Sequence, residues 1–249
     1  MLYVSLLSDV GKYLINVTAF KNEQAMRYAA DHRTEFNVII RTVAIILAII
    51  MQIPALMGEK IILVSGRRTD IKDKVIRLLR CMAAGISCGL FFNILFGITG
   101  FTGISETYTK VADRQFSVPL LLGILLYGLL SPVAEEIVFR GLVYNRMRRN
   151  EVGLIASIIM SSLFFGIYHF NPVQGVYGFL MGIIMAWVYE RYGALIYPML
   201  VHAIANTSVY LVARTDTLRQ KIMTPAVLII TGVIAISALY RIGSEKIKS

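Results

Sequence analysis

Residues 118–141 read VPLLLGILLYGLLSPVAEEIVFRG, an apolar run that ends on two adjacent glutamates and an arginine. The run is long enough to cross a bilayer as a helix, which takes about 20 predominantly apolar residues. A carboxylate at the centre of a bilayer costs about 2.5 kcal/mol or more to insert. Glu135 and Glu136 therefore predict a membrane helix that also carries a functional site.

The rest of the chain has the same apolar character. Of its 249 residues, 57% are hydrophobic, and the mean hydropathy is +0.68, which excludes an ordinary soluble domain. The pattern predicts an all-α fold, a polytopic membrane helical bundle with seven to eight transmembrane helices. An interfacial amphipathic helix or an eighth span remains open for residues 1–20. The seven clear spans are 38–57, 81–99, 118–138, 152–170, 174–190, 194–213 and 222–240.

The net charge of +10 is concentrated between the predicted spans. Of the 25 Lys and Arg residues, 15 fall in loops on one side of the seven-span arrangement and nine on the other. The positive-inside rule then predicts that the loops at 58–80 and 140–151 are cytoplasmic. Anionic membrane lipid explains this charge more simply than nucleic acid, so we predict a multi-pass protein of the cell membrane with no nucleic-acid partner.

Four ionisable side chains lie where lipid-facing helices should carry none. Glu135 and Glu136 are the two of the 15 acidic residues that fall inside an apolar segment. His169 and His202 lie in two other predicted spans. Each ionisable residue inside a membrane is by default a candidate functional residue. Four of them on three spans predict one polar site.

Helical spacing links these residues to neighbours that could support them. The pairs separated by four positions, and therefore on one helix face, are Glu136 and Arg140, Phe165 and His169, and His202 and Asn206. Counting from the span ends puts Glu135 and His169 at one depth. The same count, at a rise of 1.5 Å per residue, places His202 about 12 Å from that depth.

Two kinds of chemistry fit these residue types. Glu135 could act as a general base for water, with His169 orienting that water, while His202 and Asn206 donate to an oxyanion. Alternatively, a glutamate and two histidines are the ligand set of a catalytic zinc ion, here Glu135, His169 and His202. The residues alone do not separate these two.

Two other classes of protein also place ionisable residues inside the membrane. A proton- or ion-coupled transporter does so, although no repeat of two halves is visible in this chain. The third hypothesis is a non-catalytic immunity or scaffold protein of the membrane. The short glycine segments support no nucleotide site, and GFLMG (Gly178 to Gly182) predicts a close helix contact instead.

Three motifs in order resemble those of a known family. The segment EEIVFR fits EExxxR, FGIYH fits FxxxH and HAIAN fits HxxxN, each on a separate apolar span. The set resembles the CPBP family of CAAX proteases and bacteriocin-processing enzymes, also called ABI. That family includes CAAX prenyl protease 2 of the Ras-converting type and proteins similar to lysostaphin resistance protein A.

The resemblance implies an intramembrane endopeptidase, often named a metalloprotease. It implies that Glu135 activates water together with His169, and that His202 and Asn206 stabilise the oxyanion. Glu136, Arg140 and Phe165 would support them. The implied substrate is a membrane-associated peptide or precursor protein, and the implied location is a bacterial plasma membrane.

The resemblance also divides the chain into segments. Residues 1–37 form the amphipathic or partly inserted N-terminal segment, and 38–116 hold two leading spans and their loops. Residues 117–213 form the catalytic core that is similar to CPBP and ABI proteins. Residues 214–249 supply the last span and a basic tail.

Overall fold

A computed structural model describes residues 9–13, 24, 27–28, 31–59 and 70–245. Within these ranges the chain is helical and contains no β-strand. The all-α membrane bundle predicted from the sequence is confirmed. Most of residues 1–20, including any eighth span there, falls outside the described residues.

The helices that build the bundle are numbered here in chain order. They are α1 Arg33–Gly58, α2 Ile71–Ile98, α3 Glu106–Phe116, α4 Leu120–Arg149, α5 Leu154–Ile167, α6 Pro172–Tyr192, α7 Ile196–Ala213, α8 Asp216–Ile222 and α9 Pro225–Gly243.

Six of the described helices are long and apolar enough to cross a membrane, namely α1, α2, α4, α6, α7 and α9. The remaining predicted span, 152–170, corresponds to the shorter apolar helix α5, which has 14 residues. At 1.5 Å per residue α5 extends about 21 Å, less than the hydrocarbon core of about 30 Å. The turn that follows α5 carries His169.

Helix α2 packs against both α7 and α9, and glycines allow its close contact with α7. A Cβ atom added at Gly85 would lie 2.7 Å from the carbonyl oxygen of Val201. One added at Gly89 would lie 2.9 Å from the Cβ atom of Ala205. Small residues let membrane helices approach in this way. The sequence GISCG is therefore a helix contact.

Helix α6 packs on α5 by the same means. A Cβ atom at Gly182 would lie 2.9 Å from the Cβ atom of Ser162, and one at Gly178 would lie 3.2 Å from the His169 ring. The close contact predicted for GFLMG is confirmed. It brings the His169 turn against the first half of α6.

Helix α4 departs from regular α-helical geometry on both sides of the two glutamates. Ile124–Leu130 and Ile137–Tyr144 adopt π-helical hydrogen bonding, and the turn between them contains Pro132, which has no N–H to donate. A Cβ atom at Gly128 would collide with Oγ1 of Thr207, so the first π stretch lies directly against α7. Single-turn π stretches occur frequently at functional sites.

Ion pairs fasten one end of the bundle. Glu59, just after α1, binds Arg146 at 2.6 Å and Arg149 at 2.5 Å on α4. Glu245, just after α9, binds Arg77 of α2 at 2.7 Å. The loops that follow α1 and α4 therefore lie at the same end of the bundle. That arrangement agrees with the predicted sidedness, and which face of the membrane this end occupies stays a prediction.

Candidate active site

Glu136 is a fully buried carboxylate that ties three helices together. Its Oε1 atom accepts hydrogen bonds from Nη1 of Arg140 at 2.8 Å and from Nδ1 of His202 at 2.9 Å. Arg140 also donates from Nη2 to the carbonyl of Gly182 at 2.9 Å. Its guanidinium carbon lies 4.9 Å from the centroid of the Phe165 ring. The predicted pairing of Glu136 with Arg140 is confirmed, and it joins α4 to α6 and α7.

Glu135 has different surroundings from its neighbour. Its Oε2 atom lies 3.6 Å from Nε2 of His202, and the residue is 8% exposed, on the wall of a cavity. Because Glu136 accepts the Nδ1–H of His202, the other ring nitrogen is the one that faces Glu135. Glu136 thus orients the imidazole, while Glu135 and His202 present polar atoms to the cavity.

The depth of His202 follows from where α7 begins. Ala194 and Leu195, the residues just before this helix, are completely buried. Pro198 lies in the first turn of α7, where a proline fits a helix without bending it. Leu195 packs in a cluster with Tyr144, which lies eight residues after Glu136 in α4, while His202 lies seven residues after Leu195 in α7. His202 therefore reaches Glu136 at 2.9 Å, and the expected offset of about 12 Å is absent.

His169 is held by the turn that ends α5. Its Nδ1 atom lies 2.9 Å from the carbonyl oxygen of Phe165, which can only accept, so Nδ1 carries the hydrogen of the neutral ring. Phe170 follows with a positive φ of 55°, and Asn171 donates from Nδ2 to the His169 carbonyl at 3.1 Å. The Nε2 atom of His169 is left with a lone pair that can accept a proton or a hydrogen bond from water.

Phe165 stands between the two histidines. Its ring centroid lies 5.0 Å from that of His169 and 5.5 Å from that of His202, both in edge-to-face geometry. The residue is 2% exposed. The aromatic ring therefore fixes both imidazoles, where the sequence predicted a role toward His169 alone.

Asn206 lies one turn after His202 and is fixed through the first π stretch of α4. Its Nδ2 atom donates to the carbonyl of Tyr127 at 3.2 Å. A side-chain amide has two N–H donors, so one of them remains for another partner.

The four residues predicted to carry the chemistry line one cavity of about 430 Å³. They are Glu135, His169, His202 and Asn206. The cavity wall also includes Tyr108 on α3, outside the spanning helices, and burial raises the pKa of its phenol. Tyr108 therefore faces the cavity as a neutral hydroxyl.

Sequence reasoning missed much of the cavity wall. The phenols of Tyr127, Tyr168 and Tyr177 line it, and tyrosines in apolar spans gave no signal that separates a cavity from a packed core. Arg41 of α1 also lines it. A charged residue inside an apolar span was a usable signal for Arg41.

A zinc ion held by Glu135, His169 and His202 stays a prediction. Within the described parts of the chain, no three His, Cys, Asp or Glu side chains are grouped as metal ligands. The Nδ1 atoms of His169 and His202 are bound to Phe165 and Glu136, so Nε2 is the ring nitrogen that each histidine could offer to an ion.

Comparison with known proteins identifies the segment that carries this site. Residues 117–208 match the family described as Type II CAAX prenyl endopeptidase Rce1-like. A protein of Bacillus subtilis (strain 168) named "Putative membrane peptidase YdiL" is 28% identical over 123 residues. The matched part is 49% of this chain and 49% of that protein, so the chain spans about half the length of this curated relative. No solved structure matches.

The matched segment contains all three motifs, and each motif contributes at least one side chain to the cavity wall. Residues 117–208 of the chain are therefore similar to the CPBP family of CAAX protease-like membrane proteins.

Proposed function

We propose that this protein is an intramembrane endopeptidase that hydrolyses a peptide bond in a membrane-associated peptide or precursor protein. This proposal rests on the different surroundings of the two adjacent glutamates. Glu136 is buried and bound to Arg140 and His202, whereas Glu135 lies on the cavity wall. A site that needed only structural polar contacts would have no use for the second carboxylate.

Glu135 is the proposed general base. Its carboxylate takes a proton from a water molecule in the cavity, and the resulting hydroxide attacks the carbonyl carbon of the scissile bond. The same proton then passes to the leaving amine when the tetrahedral intermediate collapses. Nε2 of His169 accepts a hydrogen bond from the attacking water and so orients it, because Nδ1 of that ring is committed to Phe165.

His202 and Asn206 are the proposed oxyanion donors. The remaining N–H of the Asn206 amide and a protonated Nε2 of His202 would point at the carbonyl oxygen as it gains negative charge. Both side chains are held in place before the substrate arrives, since Glu136 binds Nδ1 of His202 and Tyr127 binds the Asn206 amide. Preorganised donors of this kind need little rearrangement in the transition state.

The proposed substrate follows from the site's position in the bundle. Helices that are long and apolar enough to cross the membrane supply most of the cavity wall, so we propose that a peptide that partitions into the membrane reaches the cavity. The bacterial relative supports placing the enzyme in a bacterial plasma membrane, where we propose that membrane lipid surrounds it.

Zinc remains a separate proposal that rests on donor types alone. Stoichiometric zinc in the purified protein, measured by mass spectrometry and lost in His202→Ala, would support it. Protein that is active without bound zinc would rule it out.

Replacement of Glu135 with Gln tests the proposal. The change keeps the size and hydrogen bonding of the side chain but removes the base. We expect turnover to fall about 100-fold or more, at unchanged expression and melting temperature. The assay would follow cleavage of a library of quenched fluorogenic, membrane-anchored peptides in proteoliposomes.

Asp216→Asn is the matched control, because Asp216 forms an exposed ion pair with Arg219 and neither residue lines the cavity. We expect this variant to keep full activity. Full activity in Glu135→Gln would contradict the hydrolase assignment. Proton flux that disappears in Glu135→Gln, in protein that cleaves nothing, would favour a transporter instead.

A further inference from the structure

Arg41 occupies an unusual position for an arginine. It lies in α1, within the membrane-crossing part Glu35–Gly58, and outside the segment that matches the protease family. Arg41 and Ile45, one helical turn apart, both line the cavity that holds Glu135. This face of α1 therefore forms a wall of the proposed active site.

Arg41 differs in its contacts from Lys12, the other cation that lines the cavity among the described residues. The structure pairs Lys12 with Asp9 at 3.2 Å, whereas Arg41 forms no ion pair with any described residue. The buried Arg140, deeper in the bundle, is bound to Glu136. An arginine inside a membrane is costly to insert and is usually paired or functional.

The neighbours of Arg41 connect it to the proposed catalytic residues. Its guanidinium interacts with the phenol of Tyr127, whose carbonyl holds the Asn206 amide. The phenol of Tyr168 is within electrostatic range of both Arg41 and Glu135. Arg41 and Glu135 thus face the same space from different helices.

The chemistry of a guanidinium that has no ion pair among the described residues defines what Arg41 would bind. A guanidinium has planar, paired donors that match a carboxylate in bidentate geometry. Apolar side chains such as Ile45, Phe96 and Leu126 line the same cavity. A ligand that fits both features is an apolar peptide carrying one carboxylate.

We propose that Arg41 binds a carboxylate of the substrate and so selects apolar peptides with a negative charge close to the bond that is cleaved. This inference rests on the proposed function in one respect, namely that the bound peptide is a substrate. The carboxylate is either the free C terminus of the peptide or an acidic side chain, and the experiment separates these two sources.

Binding is measured in the full-length Glu135→Gln protein, so that no probe is consumed. The protein is placed in nanodiscs of phosphatidylcholine, and binding is followed by fluorescence anisotropy. The probe is a labelled, lauroylated apolar pentapeptide in three forms. The forms have a free C-terminal carboxylate, a C-terminal amide, or an amide together with one internal glutamate.

We expect a carboxylate-bearing form to bind at least about 10-fold more tightly than the neutral amide, as for a hydrogen-bonded charge. The tighter of the two acidic forms identifies the source of the carboxylate. Adding Arg41→Gln should remove this preference, and adding Arg41→Lys should retain part of it. Adding Lys12→Gln, the matched control on the same cavity, should leave the preference intact.

Equal binding of all three probes, including no binding of any, would overturn the proposal. So would a preference that survives Arg41→Gln, or an effect of Arg41→Gln that appears only when phosphatidylglycerol is added and so reports a lipid phosphate. The readout does not depend on cleavage. If the wild-type protein hydrolyses nothing while carboxylate binding still requires Arg41, the proposed function fails and this inference stands.

Discussion

The buried ion pair between Arg140 and Glu136 gives the sharpest test of how the site is held together. Replacing Arg140 with Gln removes the guanidinium that binds Glu136 at 2.8 Å and the Gly182 carbonyl at 2.9 Å. Glu136 then stays fully buried without its cation. Breaking such a pair from one side costs about 3–5 kcal/mol.

That loss should be large enough to measure as a melting temperature. For a chain of this length, 1 kcal/mol corresponds to about 2–4 °C, so Arg140→Gln should melt roughly 6–20 °C below the wild type. The assay is thermal unfolding of the purified protein in detergent, followed by the fluorescence of Trp187, the single tryptophan.

Two further variants make the result interpretable. Arg219→Gln removes an exposed ion pair with Asp216, in which the side chains are 52% and 79% exposed, and should cost at most about 1 kcal/mol. The double variant Glu136→Gln with Arg140→Gln removes both charges of this buried pair and should recover part of the loss. If Arg140→Gln melts at the same temperature as Arg219→Gln, the reasoning about the buried pair is refuted.

Two other predictions concern catalysis and sidedness. Asn206→Ala should lower turnover by about 100- to 1000-fold, since it removes one oxyanion donor, while loss of the hydrogen bond to Tyr127 should cost only about 1 kcal/mol of stability; unchanged turnover measured with the same peptides would contradict that role. Cysteine introduced at Arg148 should react with an impermeant maleimide from the cytoplasmic side, and at Leu218 from the opposite side, because the basic loops should be cytoplasmic. Native Cys81 and Cys88 are buried and should not react with the maleimide. The reverse labelling pattern would overturn the orientation.

Hydropathy and residue type were sufficient to predict the membrane bundle and the residues that meet at the cavity. Glu135, His169 and His202 stood out because an ionisable group inside an apolar helix is costly enough to be rare. The pairing of Glu136 with Arg140 followed from helical spacing, which holds for residues on one element.

Relations between elements could not be predicted in the same way. The depth of His202 depends on α7 starting within the protein, and nothing in the apolar sequence around Ala194 and Leu195 distinguishes a buried loop from the end of a span. The different surroundings of Glu135 and Glu136 depend on which of the two carboxylates is hydrogen-bonded to His202 and Arg140. The π stretches of α4 likewise depend on packing against α7, through Gly128 and Thr207.

Helix α2 illustrates how a residue outside the family segment can control the site. Gly89 faces Ala205, the residue directly before Asn206, and a Cβ atom at Gly89 would lie 2.9 Å from the Ala205 Cβ atom. Gly89→Ala therefore forces α2 and α7 apart. Overpacking of this kind costs about 1–3 kcal/mol, and a displacement of about 1 Å at catalytic groups can lower the rate about 100-fold. We expect turnover to fall far more than stability.

Gly103→Ala is the matched control, because no atom lies within 4 Å of a Cβ added at that exposed position. The decisive variant combines Gly89→Ala with Ala205→Gly, which removes the nearest of the three atoms that a Cβ at Gly89 would meet and leaves the Ala205 Cα at 3.0 Å. We expect it to recover part of the turnover while losing about 1 kcal/mol of stability to the glycine in α7. If Gly89→Ala keeps wild-type turnover, or if the compensating change restores none of it, the contact between α2 and α7 does not position Asn206.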